Sequence, residues 1–112
     1  MIRQNILKFT LLFLLCSHSN ICFAEVPIIE IKIKNHLFYP AEVNVPSNKK
    51  VKLLVINEDD TPEEWESYEL NREKVIMGGR KSYIFIGPLS PGVYNFFGEF
   101  HPKTAQGKIL VK

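Results

Sequence analysis

Beyond residue 22 the chain has no cysteine: Cys16 and Cys22 are the two it contains, and both lie near its start. A product that loses this start has neither a disulfide frame nor a thiolate to offer a metal. Methionine is scarce, with Met77 alone after Met1, and histidine is limited to His18, His36 and His101. The formal net charge is only +2, without the basic excess that nucleic-acid binding requires, so nucleic acid is not an expected partner.

What is present divides at residue 24. Arg3 and Lys8 precede a short apolar run, Phe9 to Cys16, and a polar patch leads to Cys22, Phe23 and Ala24. A basic start, an apolar core of about eight residues and an A-x-A-like end form a secretory signal peptide, and the run is too short to span a bilayer. Neither cysteine follows the small residue of a lipoprotein site, since Leu15 precedes Cys16 and Ile21 precedes Cys22. The expectation is a signal peptide over 1–24, cleavage after Ala24, and a single soluble periplasmic domain over 25–112. Removing Arg3 and Lys8 from the 14 basic residues balances them against the 12 acidic ones. The balance is unevenly distributed: Glu58, Asp59, Asp60, Glu63, Glu64, Glu66, Glu69 and Glu73 crowd one segment.

Alternation with a two-residue period marks Ile28 to Lys34, Lys50 to Ile56 and Val93 to Phe97 as strands. Short apolar runs at Tyr83 to Ile86 and Gly107 to Val111 add more. Proline and glycine punctuate these runs. The acidic stretch is open between one helical turn around Thr61 to Trp65, capped by Thr61 and Glu64, and an extended loop. Seven or eight short strands without a helix predict an all-β Greek-key sandwich. Trp65, the sole tryptophan, is expected in its core.

Four blocks then appear in order: Asn35 to Pro46 with Phe38-Tyr39-Pro40, Val55 to Pro62 with Asn57-Glu58-Asp59, Leu89 to Phe97, and Gly98 to Val111. Their sequence resembles the cupredoxin fold, with its F-x-P strand, N-x-D loop, L-x-P-G-x-Y-x-F strand and final ligand loop closing in G-x-I-x-V. A blue-copper site needs a thiolate, two imidazoles and usually a weak axial methionine. Where the C-x-x-H pattern would fall stand Gly98, Glu99, Phe100 and His101. Near the other loop histidine's place stand Glu63 and Glu64. The resemblance therefore implies the fold without blue-copper electron transfer. Thr61 to Ile76 together with Phe96 to Ile109 is similar, more narrowly, to the small periplasmic cupredoxin-like proteins that accompany high-affinity iron permeases in bacterial iron uptake. That likeness implies copper-assisted oxidation of Fe(II), or capture of the metal, before an inner-membrane iron permease or another periplasmic uptake subunit receives it.

The donor chemistry agrees. Imidazole suits copper and iron alike, and carboxylates are hard ligands that favour Fe(III) over Fe(II). The candidate metal ligands are His36, Glu63, Glu64, Glu66, Glu99 and His101, with copper, iron or both as the metal. Either Glu63 or Glu64 faces inward, because a one-residue slip exchanges the two faces of a strand. Loops at one end of a sandwich cluster, so these side chains are expected at a common pole. Two readings compete: a non-catalytic adaptor that docks a permease or partner subunit through its loop pole, and a copper scavenger.

Overall fold

The computed structural model describes residues 25–112; the expected signal peptide lies outside the described residues. Nine strands follow in chain order, with no helix among the described residues: β1 (Ile28–Lys34), β2 (Leu37–Tyr39), β3 (Glu42–Val45), β4 (Val51–Asn57), β5 (Glu63–Ser67), β6 (Arg72–Ile76), β7 (Lys81–Ile86), β8 (Gly92–Gly98) and β9 (Gln106–Val111). They form a four-stranded sheet in the order β2-β1-β4-β7 and a five-stranded sheet in the order β3-β9-β8-β5-β6. The pairs β1·β4 and β3·β9 are parallel and the others antiparallel. The expected all-β sandwich is present, with nine strands instead of seven or eight.

The added strands come from the acidic segment, which is neither a helical turn nor a loop. It folds as the hairpin β5–β6, pairing Glu63 with Ile76 through to Ser67 with Arg72. Its alternation is real but chemically disguised: Glu63, Trp65 and Ser67 point inward while Glu64 and Glu66 point out. Two of three buried positions are polar, so hydrophobic periodicity alone does not expose the strand.

The core lies between the sheets. Ile31, Ile33, Leu53 and Val55 of the four-stranded sheet meet Trp65, Phe96 and Ile109 of the five-stranded one, all at most 1 % exposed. Trp65 stacks on Phe96 at 5.2 Å, and Phe38 meets Phe96 edge-on at 4.9 Å, which ties the sheets together. Trp65 is thus core, as expected. Its indole N–H finds no acceptor among the described residues. Gly107 permits the close approach of β9 to this cluster, since a β-carbon there would sit 2.2 Å from Phe96 Cζ.

Candidate metal centre

At one pole three side chains from three elements come together. His36 lies in the two-residue turn between β1 and β2, where Asn35 and His36 both take positive φ, 53° and 60°. Such a pair is the hairpin geometry that matches strand twist, but histidine enters it at a steric cost. The Asp59 carboxylate holds the turn: Oδ1 accepts the Asn35 N–H at 2.7 Å and Oδ2 the His36 N–H at 3.0 Å. Oδ2 also lies 3.5 Å from His36 Nδ1. Asp59 is itself fixed by Asn57, whose Oδ1 accepts the Asp59 N–H at 3.0 Å while Nδ2 donates to the carbonyls of Thr61 and Ile76. Burial pushes the Asp59 pKa up, but the backbone N–H groups of His36 and Asn35, with the two nearby imidazoles, outweigh it and hold the carboxyl below its ordinary value.

Glu63 supplies the buried part of the centre, only 1 % exposed. Its Oε1 accepts the N–H groups of Glu64 at 3.0 Å and Phe100 at 2.9 Å. Its Oε2 lies 2.6 Å from His101 Nδ1. His101 is held in turn by its loop, where its carbonyl accepts the N–H of Ala105 at 2.9 Å. The rings of His36 and His101 stack with centroids 3.6 Å apart and planes 12° from parallel.

The space for the carboxylate depends on Gly98. A β-carbon at 98 would lie 2.6 Å from Glu63 Cδ and 2.7 Å from Ala105 Cβ. This is the position where the blue-copper pattern puts its thiolate, so here a carboxylate fills the room that a side chain at 98 would need. One donor atom each from His36, Glu63 and His101 falls within 4.8 Å of the others. Donors about 2.0–2.2 Å from a tetrahedral ion stand about 3.3–3.6 Å apart, so an ion bound by both Glu63 Oε2 and His101 Nδ1 would part their 2.6 Å contact. The Glu63–His101 contact can serve an ion in two ways: both groups bind it, or the carboxylate holds Nδ1–H while Nε2 binds. The donor set is nitrogen and oxygen, which suits copper(II) and iron.

The expected convergence of all the acids on this pole needs correcting. Glu63 faces inward; Glu64 and Glu66 project from the opposite face of β5 and group instead with Glu73 of β6, donor oxygens within 4.8 Å. The sheet itself separates the two sets, because neighbours along a strand point to opposite faces. Glu99 is exposed and stands near Glu64 and Glu66, whose carboxyls its charge acts on. Partial burial, then the charge of Glu73, raises the Glu64 pKa; partial burial, then the charge of Glu99, raises that of Glu66. Sequence reasoning missed Asp59 and Gly98 as site residues; the N-x-D block and the vacated C-x-x-H position were the available signals.

Comparison with known proteins agrees with this architecture. The family model described as cupredoxin-like domain matches residues 5–111. Uncharacterized protein RP394 of Rickettsia prowazekii (strain Madrid E) is 48% identical over 83 residues, 74% of this chain and 66% of that protein, so the chain spans just under two thirds of this relative's length. Among solved structures, auracyanin A, a "blue" copper protein from Chloroflexus aurantiacus, superposes with a TM-score of 0.67 at 15% identity, over 79% of this chain and 100% of its own. The novel purple cupredoxin from Nitrosopumilus maritimus gives 0.59 at 20% identity, over 75% and 99%. At such identities the structural likenesses establish the fold alone. The family match over nearly the whole chain, together with the two-sheet topology, places this protein in the cupredoxin-like domain family.

Proposed function

We propose that the chain is a periplasmic metal-binding protein that holds copper or iron between His36, Glu63 and His101 and supports ferrous iron uptake through an inner-membrane permease. One observation carries the metal-binding part of this reading: a turn, a strand and a loop bring two imidazoles and a buried carboxylate together where Gly98 leaves no thiolate. Iron uptake and the permease rest on the sequence resemblance. Copper held by His36, Glu63 and His101 would supply one-electron redox chemistry for taking Fe(II) to Fe(III), with dioxygen, reduced to water, as the terminal oxidant. The carboxylate favours the harder, oxidised iron. No helix among the described residues is long and apolar enough to cross a membrane.

Titration with Cu(II) and with Fe(II) under argon tests the centre, and Fe(II) loss in air tests the oxidation. His101→Ala should weaken binding at least about tenfold, while Glu64→Gln, on the other face of β5, should leave the same affinity nearly unchanged. Loaded protein that oxidises Fe(II) no faster than the same free copper removes the ferroxidase role. Metal affinity no tighter than about 10 μM for both ions overturns the binding role. The adaptor reading then takes its place, favoured by Phe100, 47% exposed beside the pole.

A further inference from the structure

The outer face of the four-stranded sheet carries a surface that the metal centre does not use. Register aligns Ile28 of β1, Lys52 of β4 and Phe85 of β7 in one row, with Tyr83 two residues along β7. Ile28, Tyr83 and Phe85 are about half exposed, at 55%, 50% and 46%. Two lysines of the face lie over its rings. Lys50 Nζ stands 5.5 Å from the Phe85 centroid, and Lys52 Nζ stands 5.6 Å from Tyr83 and 5.5 Å from Phe85. Lys32, Lys34 and Lys81 extend the same face. Among the described residues Lys32 is the one lysine with a carboxylate within 4.0 Å, that of Glu58. Glu30 is the acid within the face. The main acidic group, Glu64, Glu66 and Glu73, belongs to the other sheet.

We infer that this face docks flat on an anionic phospholipid surface, with lysines meeting headgroup phosphates and the half-exposed aromatics entering the interfacial layer. Lysine stems laid along aromatic rings combine apolar contact with a charged tip, the composition that suits a membrane interface. An acidic peptide fits less well. The clefts beside Phe97 and Lys108 and beside Tyr68 and Asn71 lie off this face. The free edge of β7 is also blocked at Phe85, whose carbonyl accepts Arg72 Nε–H at 3.0 Å, which disfavours an added strand. Charge segregation orients the molecule, since the same lipid field repels the acidic sheet. β1 carries Lys32 and Lys34 directly into the turn bearing His36, so docking sets the pole beside the bilayer. That consequence rests on the proposed metal function; the docking does not.

Cosedimentation tests the docking, using the protein in the form recovered from its cells with vesicles of phosphatidylcholine alone or mixed with phosphatidylglycerol. Binding to the anionic vesicles should exceed binding to the neutral ones by about tenfold or more and should fall away at about 0.5 M salt. Lys50→Glu combined with Lys52→Glu should abolish the preference without changing metal affinity. Lys50→Gln combined with Lys52→Gln, milder for folding, should reduce it. Lys108→Glu, on the outer face of the other sheet, should lose much less. Equal binding to both vesicles, a preference that survives both double variants, or an equal loss from Lys108→Glu overturns the inference. Tighter capture by soluble polyglutamate than by anionic vesicles also overturns it and assigns the face to an acidic polypeptide.

Discussion

Glu63 and Gly98 occupy one volume, and the chain can bury the carboxylate only because position 98 has no side chain. Gly98→Ala should therefore cost about 1–3 kcal/mol in urea unfolding, as overpacking of a tight site does, and should weaken metal binding by displacing Glu63. Asp59 makes a separate claim on the same pole. Its folded pKa is depressed, so its contribution is fully present above the ordinary carboxylate range and is lost as pH falls through the lower folded value. Asp59→Asn should cost about 1–2 kcal/mol at pH 7, through the lost charge-assisted hydrogen bonds to Asn35 and His36. That difference should shrink as acid unfolding is followed below about pH 4. His36 and His101 are legible in the sequence because histidine is so scarce. Glu63 could not be told from Glu64, because the parity of a strand depends on where it begins, and no apolar pattern marks that start between Thr61 and Ser67.

At the scale of the element, β5–β6 is a hairpin written almost entirely in charged residues. Glu66 stands directly across from Glu73, the arrangement that penalises like charges most in an antiparallel pair. Partial burial first, then the charge of Glu73 on Glu64 and the charges of Glu99, Glu64 and Glu73 on Glu66, raises the pKa values of both. A folded state that binds protons more tightly gains stability when acid, and that gain is lost as pH rises through the raised values. Glu73→Gln should consequently raise the thermal midpoint at pH 7, with the gain shrinking as the pH is lowered toward 4, measured by circular dichroism across that range. A midpoint equally raised at both pH values would mean that repulsion is not the cause. β1, β4 and β8 are legible from alternation, as in β4, where Val51, Leu53 and Val55 point inward ahead of Asn57. The strands of the hairpin are not, since β6 buries Ile76 alone and β5 buries a glutamate and a serine.

On the scale of the whole molecule, the described residues contain no cysteine, and the packing between the two sheets must supply the stability that disulfides provide in many small exported domains. The junction is aromatic: Trp65 on Phe96, and Phe96 against Phe38 of the opposite sheet. Trp65→Ala should cost about 3–5 kcal/mol. A domain of this size is stable by only about 5–10 kcal/mol, and each kcal/mol moves its midpoint by about 4–8 °C, so the melt should fall by more than about 12 °C. The loss reaches the metal pole as well, because Trp65 and Glu63 are inward neighbours on one five-residue strand, and loosening that strand from Phe96 also loosens the carboxylate beside Gly98. Saturating copper should restore part of the lost midpoint in Trp65→Ala, since a ligand that binds only the folded state stabilises it by mass action. The double variant with His101→Ala should recover nothing. Equal recovery in both would place the bound metal away from the imidazole pair and separate the centre from the packing that positions it.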